Sequence, residues 1–466
     1  MSDALVDNLV RQLGPRGVLT SPEDRARFEQ GWRYGRGTAR CIARPASTAE
    51  VAATLRLCAE HGARVVPQGA NTGLVAASTP DASGQMVVLS LERLNQTIEL
   101  DAAARTVLVD GGVLLSQLDQ ALRPHGFWFP VDLGADPQIG GMVATNTGGT
   151  RLLRYGDVRH NLLGIEVVLG DGRVLSLLNR LRKNNTGLDA KHLFVGTTGV
   201  FGVVTRAVLQ VAPRPRQRAV ALVGCRDGET VLQLLSTLEQ DLGDVLSAFE
   251  VMSENAMAAV FAHQPGLRRP FASLPRFAAL VELATTLPAA DLDLGGLLES
   301  RLGSCLDAAG DTIDVVMANG DEFWQIRHHI SESLRQSGKM LAFDVSVPRS
   351  RLPAFTREVE ALLAREWPEV RLCDYGHWGD GGTHLNLLWD AAGIGRPAAE
   401  VVAALQPRIY ELAVKGHGGS YSAEHGIGPH NQRYYDLYTA PLVKQLSALL
   451  GQFCDPGDRL GTVRLG

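Results

Sequence analysis

The chain has 466 residues, with 45 Lys and Arg against 50 Asp and Glu, a formal net charge of −5 and a pI near 6.2. That length suits two or three domains with large cores, and so slight an acidic excess offers no broad field for nucleic acid or acidic lipid. The six cysteines (Cys41, Cys58, Cys225, Cys305, Cys373 and Cys454) include no Cys-x-x-Cys pair, which points away from a disulfide framework or an iron–sulfur cluster.

In chain order, residues 3–13 place Leu5, Leu9, Val10 and Leu13 on one helical face. Ser47 and Glu50 form a capping-box start for a helix running to about 61. Strands are expected at 63–67, 86–90, 97–100 and 106–110, a helix at 115–125, and strands at 163–169, 174–177 and 203–211. Pro213 and Pro215 then mark a boundary. Beyond it come a strand at 219–224, a helix at 228–241, a strand near 279–283, helices near 293–309 and 321–335, a strand at 340–347 and a helix at 351–365. Such a run suits helices layered on an antiparallel sheet. The segment 384–388 alternates as a strand, which sets His384 and Asn386 on one face. Helices at 398–415 and 440–453 close the chain.

Chemistry concentrates in two kinds of segment. Four small-residue stretches, 68–73, 140–149, 183–187 and 196–202, replace the Gly-x-Gly-x-x-Gly of a dinucleotide-binding βαβ unit. Each reads either as an ordinary tight turn or as backbone opened for a pyrophosphate or a flavin edge. Nearer the end, Gly-His-Trp-Gly-Asp-Gly-Gly-Thr-His-Leu-Asn-Leu at 376–387 and Ser-Ala-Glu-His-Gly-Ile-Gly at 422–428 gather histidines and a carboxylate. His377, His384 and Glu424 suit a divalent transition metal with open coordination positions. His425 stands beside them where a general base is useful. Alternatively, these groups are turn or core hydrogen-bonders.

Taken in order, Pro130–Ala135, Ile139–Gly149, Arg154–Arg159, Leu181–Gly187 and Gly202–Arg206 resemble the FAD-binding domain of the vanillyl-alcohol oxidase and p-cresol methylhydroxylase superfamily. The two C-terminal segments look like those of its D-2-hydroxyacid dehydrogenases, typified by D-2-hydroxyglutarate and D-lactate dehydrogenases. The resemblance implies a pyrophosphate loop at Pro67, Gln68, Gly69, Ala70, Asn71, Thr72 and Gly73, further FAD contacts at Pro130, Gly134, Gly140, Gly141, Thr145 and Asn146, and later ones at Asn185, Thr186, Gly199 and Val204. It also implies Zn²⁺ on His377, His384 and Glu424, His425 as base, and substrate contacts from Asn386, Arg327 and Ser331, the last two one helical turn apart. The sequence departs from the family at Ala70 and at Ala76-Ala77, where glycines are usual, and at Ala342, where a lysine is usual.

The expected fold is α+β: a p-cresol methylhydroxylase-type, two-subdomain FAD-binding domain over 1–216, an α+β cap with an antiparallel sheet over 217–410, and a C-terminal segment, 411–466, packing back to complete the active site. The expected reaction is FAD-dependent oxidation of a D-2-hydroxy acid to the 2-oxo acid. Alternatives are a flavin oxidase using O₂ on another alcohol, or a metal-dependent hydrolase without flavin. FAD is expected to be noncovalent, because the 67–73 loop holds no His or Cys. Expected partners are the small 2-hydroxy acid and an electron acceptor such as an electron-transfer flavoprotein, a quinone or a cytochrome; a homodimer is compatible with the chain, and nucleic acid is not expected. Lacking a leader-like start or eighteen uninterrupted apolar residues, the chain is expected to be cytoplasmic with no integral membrane segment.

Overall fold

The computed structural model describes residues 3–309, 313–318 and 321–466. The chain forms two compact units, one of Met1–Gly148, Gly156–Arg214 and Glu424–Gly466, the other of Gly149–Tyr155 and Pro215–Ala423.

In the first unit, among the described residues, one sheet runs in the order Val18–Leu19, Ala39–Ala43, Met86–Ser90, Val65–Gln68, the last three parallel. Leu5, Leu9 and Leu13 of the helix Ala4–Leu13 pack into its core beside Val51, Leu55 and Cys58 of the helix Thr48–Glu60. Val10 falls at the rim of that core. Ser47 caps the second helix by accepting from the Glu50 amide, and Glu50 in turn accepts from the amide of Ala46. A second, antiparallel sheet runs Ile98–Asp101, Thr106–Asp110, Val203–Gln210, Leu162–Val168, Val174–Ser176. Against it lies the short helix Ile139–Thr145, where the sequence read only as a small-residue run. Glycine is a poor helix former, but Gly140 is what allows the approach: its amide donates to the Gly111 carbonyl at 2.7 Å, and a Cβ there would stand 3.0 Å from the carbonyl oxygens of Gly111 and Val204.

The second unit is built on an antiparallel sheet ordered Ile313–Ala318, Gln217–Cys225, Phe277–Thr285, Leu246–Ser253, Arg371–Gly376, Gly382–Trp389, Lys339–Ser346. Helices Glu254–His263 and Glu322–Gln336 cover one face, closing over Leu222, Met252, Leu280, Cys373 and Tyr375. On the other face Thr356 of the helix Leu352–Glu366 reaches Asp374. Every residue of Leu246–Ser253 and Phe277–Thr285 is buried. Strands covered on both sides lose the two-residue alternation, so the first of these, like Arg371–Gly376, was not expected from the sequence; nor was the edge strand Ile313–Ala318, whose Val315, Val316 and Met317 are half-buried. Among the described residues no helix is long and apolar enough to cross a membrane.

Candidate functional site

In the first unit the strand Val65–Gln68 ends in the 69–73 loop. Gln68, 2% exposed, donates to the carbonyls of Phe28 at 2.9 Å and Ser78 at 2.7 Å and so anchors the strand end. Asn71 adopts φ +58°, which Asn tolerates better than most residues, with its amide on the Gln30 carbonyl at 2.7 Å and its oxygen accepting from Ser78 at 2.9 Å. A Cβ added at Gly69 would lie 3.5 Å from Gln138 Cβ and 3.9 Å from Gly141 Cα, and one at Gly199 3.6 Å from Pro67. Pro67, Gly69, Gly140, Gly141, Gly199 and Val204 are thus gathered into one neighbourhood. At Gly73, Gly134 and Gly141 an added Cβ meets nothing within 4 Å, so backbone there is open to a ligand's close approach. Donor-rich turns beside open glycines fit a dinucleotide such as FAD.

The remaining expected contacts divide. Pro130 is buried, and Ala70 and Thr72 are half-buried. Thr145 donates to the Gly141 carbonyl at 3.0 Å. Asn146, at φ +51°, binds Asp157 at 2.8 Å and the Arg159 amide at 2.9 Å, a local structural role. Asn185 and Thr186 lie exposed outside any helix or strand. Ala76 takes φ +64°, strained by roughly 1 kcal/mol for a residue with a Cβ. Glycine is usual at that place in the family the sequence resembles.

In the second unit the register of the sheet lines up the chemistry. Tyr375 pairs with His384, and His384 with Asp344; the Tyr375 and His384 rings lie 5.2 Å apart. His377, just past the end of Arg371–Gly376, has its ring 5.2 Å from that of His384 and its Nδ1 2.5 Å from Glu250 Oε1. The other Glu250 oxygen accepts from Arg327 Nε at 2.7 Å, and the Arg327 guanidinium lies 4.7 Å over the Tyr375 ring. Glu250 is 1% exposed. Burial pushes its carboxyl up, but the charges and hydrogen bonds of His377 and Arg327 outweigh that and hold it below its ordinary value. It is therefore a carboxylate, fixing one imidazole and one guanidinium at once. Nothing in the sequence marked it: it sits inside a fully buried strand with no motif. Glu250 and His377 also line a small cavity with Thr150, Phe249 and Asp380.

Ser331 is half-buried on the Arg327 helix. Asn386 is 3% exposed, and its amide donates to the His384 carbonyl at 2.9 Å. Ala342 pairs with Asn386 across the sheet. Farther along, the Ala423 amide donates to the Asp344 carbonyl and Ser420 bridges to Ser346, so the chain arrives at Glu424 already tethered to the strand that carries Asp344. His425 Nε2 lies 3.6 Å from Glu424 Oε1. Within the second unit Asp344 and His384, paired across the sheet, bring a carboxylate and an imidazole together, ligand types that suit a divalent transition metal. His384 belongs to the set read from the sequence, whereas Asp344 was unanticipated.

Residues 39–178 match the FAD binding domain family and residues 214–461 the C-terminal domain of FAD linked oxidases. The chain is 38% identical over 455 residues to a mitochondrial D-2-hydroxyglutarate dehydrogenase of Bos taurus, covering 97% of this chain and 81% of that protein. It is 34% identical over 458 residues to a mitochondrial D-2-hydroxyglutarate dehydrogenase of Arabidopsis thaliana, covering 95% and 78%, and 34% identical over 423 residues to a D-2-hydroxyglutarate–pyruvate transhydrogenase of Saccharomyces cerevisiae, covering 88% and 84%. Among solved structures, alkyldihydroxyacetonephosphate synthase superposes with a TM-score of 0.74 at 16% identity, covering 98% of this chain and 85% of that one. Substrate-bound p-cresol methylhydroxylase gives 0.72 at 15%, covering 98% and 95%; both likenesses establish the fold. One expectation is corrected here: the bovine and plant relatives are mitochondrial proteins, which overturns the cytoplasmic location read from the sequence.

Proposed function

Because this chain belongs to the FAD-dependent D-2-hydroxyacid dehydrogenases and oxidises a D-2-hydroxy acid of the D-2-hydroxyglutarate or D-lactate type to the 2-oxo acid, we propose that the reaction is metal-assisted, with Zn²⁺ held by His377, His384 and Glu424. The observation that carries this reading is the Glu250–His377 contact. A carboxylate on Nδ1 orients the ring and fixes its tautomer, as the outer partner of a metal-ligating imidazole does. Asp344, opposite His384 in the sheet, adds negative charge beside the same position.

When bound, the cation would supply Lewis acidity toward the substrate's oxygens, and noncovalent FAD on the glycine-lined loops of the first unit would supply the hydride-accepting chemistry. His425 Nε2 takes the hydroxyl proton. Arg327, held through Nε by Glu250, brings positive charge to a substrate carboxylate, with Ser331 one turn along. Asn386 acts through His384, whose carbonyl it holds, rather than on substrate. With alanine at 342 in place of the family's lysine, the site accommodates D-lactate and apolar 2-hydroxy acids alongside D-2-hydroxyglutarate. Electrons then pass to an external acceptor: an electron-transfer flavoprotein, a quinone or a cytochrome.

His377→Ala, His384→Ala and Glu424→Ala should each lose metal by elemental analysis while keeping the flavin spectrum, and Asp344→Asn should weaken metal binding without touching the flavin. His425→Ala should retain FAD and metal yet slow flavin reduction by roughly two to four orders of magnitude. Fully active enzyme without divalent metal, indifferent to chelators, contradicts the metal assignment. Wild-type flavin reduction by His425→Ala contradicts its role as base.

A further inference from the structure

The helix Glu322–Gln336, which carries Arg327 and Ser331, stands on two buried carboxylates rather than one. In the sheet beneath it Glu250 pairs with Leu280 and Ala248 with Glu282, so both glutamates rise from the same face of neighbouring strands. Arg327 reaches Glu250. Trp324, three residues earlier and on the same side of the helix, donates from its indole Nε1 to Glu282 Oε2 at 3.0 Å. Glu282 is 0% exposed. Its Oε1 accepts from Ser247 Oγ at 2.7 Å, and Arg151 holds both oxygens, Nε on Oε1 at 2.9 Å and Nη2 on Oε2 at 3.0 Å. The Arg151 guanidinium, buried as well, also lies 5.3 Å over the Trp324 ring. Arg218, near the surface, comes no closer to Glu282 than 3.8 Å.

A buried ion pair is a poor way to gain stability, since apolar side chains of the same volume often do as well or better. It is a good way to fix an orientation. A two-pronged guanidinium–carboxylate pair admits one geometry, and an indole bonded to the carboxylate and covered by the guanidinium is held in both position and tilt. That sets the first turn of the helix, one turn ahead of Arg327. Arg151 itself comes from the segment Gly149–Tyr155, which belongs to the second unit. Arg154 of that segment donates to the carbonyls of Ala284 and Val245, and Gly149, Thr150, Leu152 and Leu153 border the small cavity lined by Glu250 and His377. The segment therefore braces both glutamates on which the helix stands.

We propose that Arg151, Glu282 and Trp324 are positioning residues for substrate binding: they fix the helix Glu322–Gln336 so that Arg327 meets the substrate carboxylate, a role that rests on the assignment of Arg327 to substrate above. The test is steady-state kinetics with D-2-hydroxyglutarate on FAD-loaded Trp324→Phe, Arg151→Met, Arg327→Met and the double variant Trp324→Phe with Arg327→Met. Trp324→Phe keeps an aromatic ring and deletes the donor, so it should fold and melt close to wild type. Its KM should rise roughly tenfold with kcat little changed, the mark of a lost binding contact. Arg151→Met releases the indole altogether and should raise KM by about a hundredfold. Arg327→Met should raise it at least as far, and adding Trp324→Phe to it should change nothing more, because residues that act through one another are not additive. Affinity for the 2-oxo acid product, read from the perturbed spectrum of the oxidised flavin, should follow KM through the series. Two results overturn the proposal: wild-type KM and product affinity in Trp324→Phe while Arg327→Met is impaired, or full additivity in the double variant, which would make the cluster a core support without bearing on Arg327. Wild-type KM in Arg327→Met would instead overturn the assignment of Arg327 to substrate, and the proposal with it.

Discussion

The two units prepare their ligand sites by opposite means. In the first the working surface is backbone, exposed by side chains that are missing: Gly73, Gly134 and Gly141 open onto empty space, while Gln68 and Asn71 hold the loop from beneath. In the second the working surface is charge, assembled from separate strands and a helix around one buried carboxylate, Glu250. The difference predicts how each fails. A backbone site breaks when something is added, and a charge site when something is removed.

The largest effect is expected from Glu250→Gln. Removing the carboxylate leaves Arg327 as a buried charge without its compensating partner and frees the His377 ring. Loss of one partner of a buried pair costs about 3–5 kcal/mol, and loosening a ligand's outer contact costs ~10–100-fold in metal affinity or turnover. Denaturant melts and metal titration should show both losses, with FAD retained by the first unit. Wild-type stability together with wild-type metal affinity would remove Glu250 from the centre of the account.

Asp374 sharpens the same comparison from the opposite face of the sheet. It is as buried as Glu250 but is met by the hydroxyls of Thr383 and Thr356 rather than by cations. Burial, less what those hydroxyls recover, pushes its carboxyl from 3.8 up to about 6. Between pH 4 and pH 6 the folded chain therefore keeps a proton that the unfolded chain releases, and stability falls as pH rises through that window. Asp374→Asn should be more stable than wild type at pH 7 by about 3 kcal/mol, and the advantage should vanish below pH 4. Melting curves of the two proteins that stay parallel from pH 4 to pH 7 would contradict this.

Smaller effects separate neighbouring glycines in the first unit. Gly140→Ala drives a Cβ onto two backbone carbonyls and should cost about 1–3 kcal/mol of apoprotein stability. Gly141→Ala adds its methyl to open space, so apoprotein melting should not move while FAD binding weakens. Identical behaviour of the pair in thermal melts and flavin titrations would erase the distinction between packing and cradle.

What the sequence reveals follows the same division. Open glycines leave runs of small residues, so the 67–73 and 139–149 segments were readable, and His384 and Glu424 lay in motifs dense enough to notice. Long amphipathic helices such as Ala4–Leu13 were equally visible, because one face is wet. Glu250 was not, since it meets His377 and Arg327 only through the docking of separate elements, and a strand buried on both faces carries no alternation to read; Asp344 lay on an expected strand, but its place opposite His384 comes only from cross-strand register. Asn386 was read on one face with His384, and its amide donates to the His384 carbonyl, a contact that residue spacing does not reveal.

The central claim is that the charge site and the backbone site act together on a D-2-hydroxy acid yet are lost separately. Anaerobic rapid mixing of the holoenzyme with D-2-hydroxyglutarate and D-lactate, and with their L-enantiomers, tests it most directly when run before and after chelation. The account predicts flavin bleaching by a D-acid and by neither L-acid, its loss on chelation with FAD still bound, and its return with Zn²⁺. Bleaching that proceeds undiminished in metal-free enzyme, or none with any D-2-hydroxy acid, would contradict it.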